Sequence, residues 1–588
     1  MFFKTKNANN IYVLSILIGV VTGLFAIGFV WLLEQATHFV YKLHKYNFDS
    51  DIATQSFRTD IDVVTALLIV LIPSVGGLIT GIITNKFSKS SAGTGVDQMI
   101  YAFHQNEGVI ETKAPFYKSI TTIFTLSSGG SGGKEGPIAF IGAGIGAIVS
   151  KIVNTGARAR RTLLLAGTAA GLGSVFKSPL GGALTAAEMV YKEDIEADAL
   201  IPCFISSVTA YIVYTWFAGS SHFMNIIANY HFHFSELPFY LLLGIMCYPF
   251  GYLFIKGFND TPKYFMKFNL HPALKPAIGG LLVGVLSLLF FEISGTGQDF
   301  MLAVAGGKKP VFMGNAQFAI AIAFLLIALL KIVATTLTIG TGGAAGIFGP
   351  SLFIGAMLGA CVGTLAQLFF DDNTVSFSSY VVVGMGAFYA GVANAPIAGI
   401  IMVCEMTGTY VLLPPLIIVS IFTFILSKKI SIYKNQLPNR FASPAHFWDM
   451  RLDVLEKIYF SNKKDELRNI AVVKDSDLLS SLLDMSVKIA ASDFVVVTNS
   501  NEFAGMISLR KVNVAAEVLK NETVTINNFI DKNIVALDVT EKLSAGLKTM
   551  MQHDYDKIPV ADNKQFVGYL RSRDIFNTYM SLNKTDKI

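Results

Sequence analysis

A lysine and a glutamate stand inside a run of glycines, Gly129-Gly130-Ser131-Gly132-Gly133-Lys134-Glu135-Gly136-Pro137, and an apolar stretch from Ile138 to Val149 follows at once. Glycine lets backbone amides approach a ligand closely. Proline in a first turn starts a helix, and a helix start carries unpaired N–H groups and partial positive charge. Such a start holds an anion. A carboxylate on the same turn competes with that anion. The pattern therefore predicts an anion path with Glu135 as an ionisable plug. A nucleotide-binding P-loop is excluded: it needs glycine where Ser128 stands and a hydroxyl residue where Glu135 stands.

The elements that must position this loop read as membrane helices. The chain has 588 residues, 52% hydrophobic and only 15% charged, against about 25% charge in soluble domains. Apolar runs over Ile11–Leu33, Ile61–Ile83, Ala277–Leu289 and Ala319–Ile339, the last interrupted by Lys331, have spanning length or near it. Shorter runs, Leu163–Val175 and Pro179–Val190, lie beside Gly and Pro and predict broken helices that line a cavity. Lys4 and Lys6 precede the first run with no acid nearby, which predicts an uncleaved first helix with its N-terminus in the cytoplasm. A net charge of +5 gives no support for nucleic-acid binding. Cys203, Cys247, Cys361 and Cys404 are scattered through apolar stretches without metal spacing and read as packing residues.

The membrane part repeats itself. Gly132-Gly133-Lys134-Glu135-Gly136-Pro137 is echoed by Gly342-Gly343-Ala344-Ala345-Gly346-Ile347-Phe348-Gly349-Pro350, and each is followed by a small-residue helix. Gly142, Gly144, Gly146, Gly355 and Gly359 in those helices serve close helix packing by default. Ser178-Pro179-Leu180-Gly181-Gly182 is echoed by Ala395-Pro396-Ile397-Ala398-Gly399, and Glu188-Met189 and Glu405-Met406 follow at equal distance. Two such halves put a binding site at their interface, near the bilayer midplane. An odd number of crossings in each half would invert one against the other. A glutamate present in both halves points to a shared structural role, capping or pairing, for Glu188 and Glu405. Phe348 occupies the position equivalent to Glu135, so the backbone does not itself demand an acid there.

After Ala442, charged residues return at ordinary soluble frequency. Strand-like runs (Phe494–Thr498, Phe503–Ile507, Phe566–Leu570) alternate with helix-like ones (Leu478–Ile489, Val512–Leu519, Ala545–Met551). The expected architecture is an all-α polytopic membrane domain over residues 1–442, made of two pseudo-repeats with broken helices, followed by an α/β domain over 443–588.

These motifs resemble the CLC family of chloride channels and chloride/proton antiporters. Its G-[K/R]-E-G-P pattern matches Gly133 to Pro137, its G-x-F-x-P matches Gly346 to Pro350, and its G-S-G-x-P is approximated by Gly93-Thr94-Gly95-Val96-Asp97. The segments Pro179 to Glu188, Asn394 to Thr407 and Ser431-Ile432-Tyr433 are similar to family segments, and the tail resembles a pair of CBS domains. The resemblance implies that the two pseudo-repeats are inverted, and it implies a homodimer in the membrane with one anion path per subunit and a cytoplasmic tail. It implies that Thr94 and Tyr433 offer hydroxyls to a central chloride, that the amides of Ile347 and Phe348 complete that site, and that Glu135 gates by protonation. Neutral donors replace hydration without trapping the ion, and a lone pore carboxylate is a functional suspect.

Two departures matter. The usual internal proton glutamate is replaced by Met189, and Asp97 stands where the family has proline. Met189 favours channel-like conduction; the alternative is chloride/proton exchange through another route, with Glu188, Glu193 or a water chain as carriers. Threonine keeps the hydroxyl, so chloride is the expected anion. In the tail, Asp574 matches the aspartate that binds ribose in nucleotide-binding CBS modules, whereas Lys511 and Arg571 depart from that pattern. An adenine nucleotide there ranks below a structural, dimer-stabilising tail; no cofactor or metal is required and no enzyme is expected. A CBS-regulated divalent-cation channel and a membrane sensor that transports nothing rank lower still.

Overall fold

The structure is a computed structural model. It describes residues 9–43, 62–221, 223–224, 230–309, 316–370 and 375–449, and, within 455–585, all but 457, 469–470, 479–480, 483–484, 487, 489–492, 509–524, 533, 535, 554–556 and 563–564. Lys4, Lys6, Lys511 and the expected helix Val512–Leu519 lie outside the described residues, as does part of Leu478–Ile489. The chain forms two compact units, residues 1–440 and 441–588.

The first unit is all helix. Its first half runs α1 (Asn9–Leu43), α2 (Val63–Lys86), α3 (Val96–Gln105), α4 (Ala114–Ser127), α5 (Glu135–Val153), α6 (Ala157–Val175), α7 (Pro179–Glu188) and α8 (Leu200–Ala218). The second runs α9 (Leu237–Lys267), α10 (Lys275–Leu289), α11 (Gln298–Ala305), α12 (Gln317–Gly340), α13 (Phe348–Ala366), α14 (Phe377–Ala393), α15 (Pro396–Thr407) and α16 (Leu413–Ser427). Eight helices among the described residues are long and apolar enough to cross a membrane. The short ones start where the sequence says they must: Pro179 and Pro396 stand at the first helical position.

The repeat carries into packing. In the first half a Cβ on Gly142 would collide with the carbonyl of Gly167, so α5 and α6 meet backbone to backbone. In the second half the same collision arises between Gly355 and Gly384, so α13 and α14 meet in the same way. Small residues allow that approach, and helices in lipid associate through close packing rather than hydrophobic expulsion. Both inner helices are buried along nearly their whole length.

The second unit holds two three-stranded sheets of one design. In the first, β1 (Val472–Lys474) lies parallel to β2 (Asp493–Val497), which pairs antiparallel with β3 (Phe503–Ser508). In the second, β4 (Leu537–Asp538), β5 (Lys557–Asp562) and β6 (Gln565–Arg571) repeat that order. Each hairpin has one register irregularity near its turn, at Val496/Val497 and at Val560/Ala561. Helices α17 (Leu543–His553) and α18 (Ser572–Thr585) accompany the second sheet. The β2 strand is buried at every position, as a continuous apolar run predicts.

Asp574, in the first turn of α18, is clamped by two arginines. Arg468 Nε lies 3.3 Å from its Oδ2 and Arg571 Nε lies 3.3 Å from the same oxygen, while the Arg571 N–H donates at 3.1 Å. Burial alone would raise the proton affinity of this carboxyl. The Arg571 and Arg468 hydrogen bonds outweigh it and hold Asp574 below the usual carboxylate range. A depressed native value contributes stability that is present above the ordinary carboxylate pKa and is lost as pH falls through the native one. The arginines are about a third exposed or more, which discounts the effect. Asp574→Asn is expected to cost about 1–2 kcal/mol at neutral pH. The deficit should vanish in acid below the carboxylate range. Hydrogen exchange of β6 amides across pH reads this, and a deficit that grew in acid would contradict the clamp.

Candidate functional site

The two glycine loops bind each other. Gly133 N–H donates to Gly346 O at 2.8 Å, and Gly346 N–H donates back to Gly133 O at 2.6 Å. Beside them, Gly93 N–H donates to Gly343 O at 3.1 Å, which brings the Thr94 loop onto the second-half loop. Ser131 N–H donates to Thr338 Oγ1 at 2.9 Å and the Ser131 and Thr335 hydroxyls meet at 3.0 Å. The start of α5 and the start of α13 are thus locked together by short polar contacts from both halves. Backbone groups are obligatory hydrogen-bonders, and buried loops of this kind must satisfy each other.

The Glu135 side chain is 4% exposed and lies in this junction. Its carboxylate faces its own N–H and the N–H of Gly349 in the first turn of α13. A Cβ on Gly133 would collide with Oε2, and one on Gly349 would come within 3.0 Å of it. The two glycines therefore leave the space the carboxylate fills. Oε2 has no hydrogen-bond partner among the described residues. A negative group over the first turn of a helix sits where the helix dipole favours an anion. Lys134 and Lys331 are the cations that act on it.

Thr94 is 5% exposed and its carbonyl packs against the first turn of α5, where a Cβ on Gly136 would come within 2.8 Å of it. Gly95, at φ +84, turns the chain into α3, a conformation that favours glycine. Ile347 and Phe348 are buried at the start of α13. Phe348 meets Tyr389 edge to face, with ring centres 4.4 Å apart, and packs tilted against Phe176 at 4.6 Å. The Tyr389 hydroxyl faces that of Tyr433, which is 3% exposed. Thr94, Glu135, Ile347, Phe348 and Tyr433 are thereby tied to one region by a short chain of contacts.

Glu188 and Glu405 cap each other's helices. Glu188, the last residue of α7, accepts from Ala398 N–H at 2.7 Å and Ile397 N–H at 3.2 Å in the first turn of α15. Glu405, near the end of α15, accepts from Gly181 N–H at 2.8 Å, Leu180 N–H at 3.3 Å and Ser178 Oγ at 2.6 Å at the start of α7. Two helices that each reach the other's start run antiparallel, as inversion of the halves requires. Glu193 pairs with Lys428 at 3.0 Å on the surface. Met189 is buried just past α7. The chain then returns: Glu196 N–H donates to Ala187 O at 2.9 Å, and its carboxylate, 3% exposed, accepts from Tyr191 Oη at 2.8 Å.

Sequence reasoning missed the two buried lysines. Lys118 donates to the carbonyls of Ser91 at 3.2 Å, Ala92 at 3.4 Å and Gly93 at 2.5 Å, bracing the Thr94 loop from behind. Lys331 donates to Ile293 O at 3.0 Å and Gly295 O at 3.1 Å, bracing the loop before α11. The signal was present: each lysine lies 17 residues before the start of its inner helix, at Glu135 or Phe348. The braced loops also repeat, since Gly93-Thr94-Gly95-Val96-Asp97 is echoed by Gly295-Thr296-Gly297-Gln298-Asp299.

Comparison with known proteins agrees over the same span. The voltage-gated chloride channel family pattern matches residues 76–428, and the CBS domain pattern matches 526–581. A Ralstonia nicotianae protein that carries a chloride-channel name, ClcB-like, is 30% identical over 60% of this chain and 81% of its own length. The H(+)/Cl(-) exchange transporter ClcA of Vibrio cholerae is 28% identical over 71% of this chain and 86% of its own. A solved eukaryotic CLC transporter superposes with a TM-score of 0.67 at 19% identity, covering 96% of this chain and 97% of its own, which establishes the fold.

Proposed function

The chain belongs to the voltage-gated chloride channel (CLC) family and carries a C-terminal CBS domain pair, and on that premise we propose that it exchanges chloride for protons across a membrane, with Glu135 as the group that binds the proton. The observation that carries the reading is the Glu135 carboxylate lying over the first turn of α13, in a seat built for an anion. Ionised, the carboxylate fills that seat. Protonated, it loses its charge and yields to chloride. One seat that holds either a carboxylate or a chloride links the two ions by exclusion.

Thr94 and Tyr433 supply hydroxyls to the chloride, and the amides of Ile347 and Phe348 complete its shell. The chain works as a homodimer with one path per subunit and with both termini in the cytoplasm. The relative from Vibrio cholerae, named as an exchanger, supports exchange over the conduction that Met189 favours. So does Glu196, a buried carboxylate beside the end of α7 that suits an inner proton station. Uncoupled conduction is the second reading, and it rests on Met189. A cation channel lacks support: the spare acids Glu188 and Glu405 are committed as helix caps. An adenine nucleotide at the CBS pair would have to displace Arg468 and Arg571 from Asp574, so the tail serves first as a structural element.

Purified protein in liposomes tests the reading. An imposed chloride gradient should drive protons the opposite way, against a pH difference as well as without one. Chloride flux with no proton movement over several pH values would leave conduction instead.

A further inference from the structure

Asp97 joins the two segments that carry the chloride-binding hydroxyls. It lies in the first turn of α3, three residues after Thr94. Its Oδ1 accepts from Asn435 N–H at 3.0 Å, its Oδ2 accepts from Asn435 Nδ2 at 2.8 Å, and its carbonyl accepts from the same Nδ2 at 3.2 Å. Asn435 stands two residues after Tyr433, whose own N–H is held by Ser431 Oγ at 3.1 Å. The two segments are 338 residues apart in the chain. We propose that the Asp97–Asn435 clamp is a positioning device that sets the spacing of the Thr94 and Tyr433 hydroxyls, and with it the affinity and selectivity for chloride. This rests on the reading of those hydroxyls as chloride ligands.

The physical case is geometric. A neutral site selects an anion by the number and placement of its donors. Thr94 is fixed from behind by Lys118 through the Gly93 carbonyl. The Tyr433 segment is held to α14 and to the loop after α7, by Ile432 N–H on Val392 O at 3.2 Å and by Gln436 Nε2 on Ala393 O at 3.0 Å and Tyr191 O at 2.8 Å, and those bonds do not reference it to the Thr94 loop. The clamp supplies that reference with three bonds between one aspartate and one asparagine, two of them to the carboxyl oxygens and one to the backbone carbonyl. Lys434 and Tyr433 are the other polar groups that face Asp97, and neither replaces the paired donors of Asn435. The second half carries an aspartate at the matching point of its own turn. Asp299, at the matching place after Thr296, faces Lys134, the neighbour of Glu135.

The test uses full-length protein, with chloride binding measured by calorimetry and nitrate as competitor. Asp97→Ala and Asn435→Ala should each weaken chloride binding about tenfold, or about 1.4 kcal/mol, and narrow the preference for chloride over nitrate. The double variant should be no worse than either single, because both remove one clamp. Asp97→Asn keeps one acceptor and should fall between, which covers failure of the alanine variants to fold. Lower melting temperature with unchanged chloride affinity and selectivity in the clamp variants would overturn the proposal, as would additive losses. Thr94→Ala separates the two layers. If it weakens chloride binding while the clamp variants do not, the clamp alone falls. If it and the clamp variants all leave binding unchanged, the reading of the site falls with it.

Discussion

Glu135→Gln is expected to stop proton movement while leaving chloride flux in place and nearly independent of pH. Glutamine has the shape of the protonated acid but no charge and no titration. The carboxylate lies over the start of α13, and on the proposed function it excludes chloride from that seat until it gains a proton. Where protonation limits transport, native flux should therefore rise as pH falls, by up to about tenfold per pH unit, the slope of a single titrating group. The variant has nothing to titrate, so its profile should be flat and its flux near neutral pH higher than native. Coupled proton flux should fall to background. Parallel chloride and proton assays on liposomes over acid to neutral pH read both effects. A variant that kept the native slope would remove Glu135 from the gate.

Glu188→Ala should be the most destabilising substitution among the carboxylates of the membrane unit. It strips the acceptor from two N–H groups, of Ile397 and Ala398, at the start of α15. A buried donor left unpaired costs about 1–3 kcal/mol, and that falls in full on Ala398 N–H and only in part on the half-exposed Ile397, so the loss should be about 2–4 kcal/mol. Glu188→Gln keeps one acceptor oxygen and should lose about half of that. Glu405→Ala should cost less, because Glu405 is only partly buried and Leu180 N–H is exposed. Thermal unfolding in detergent would rank the three. Proton coupling should survive Glu188→Gln, since the native carboxylate is engaged by α15 rather than by a proton route. Loss of coupling with normal stability would instead make Glu188 a proton carrier.

Much of this was legible in the sequence because it is local. Proline at Pro179 and Pro396, glycine before Glu135 and Phe348, and the alternating tail strands each act through backbone geometry within a few residues. The equal spacing of Glu188 and Glu405 pointed to a shared structural role, which they have as caps, although the helix each one caps was not readable. Other features depend on residues far apart in the chain. No local pattern predicts that Gly133 will pair with Gly346, or that Asp97 will find Asn435. Lys331 read as an interruption in an apolar run, since a lysine at the heart of a membrane domain is unexpected until its carbonyl partners are known. The second Gly-Thr-Gly turn escaped notice because it precedes its glycine loop at a different distance from the first. Met189 turned the sequence reading toward conduction because a missing side chain says nothing about an acid that returns from the next loop, as Glu196 does.

The pairing of Gly133 with Gly346 also bears on how a cell can make this protein safely. Ser131 and Thr338 at the same junction are 207 residues apart, and contacts of such long range form late in folding. A ribosome that has released only the first half has made Glu135 and Thr94 but not Gly346 and Gly349, the second-half backbone that lies beside them. The unfinished chain then holds no complete route for an ion. With the seat of the proposed function divided between two halves, the membrane would stay tight during synthesis and permeability would arrive only once both halves have met.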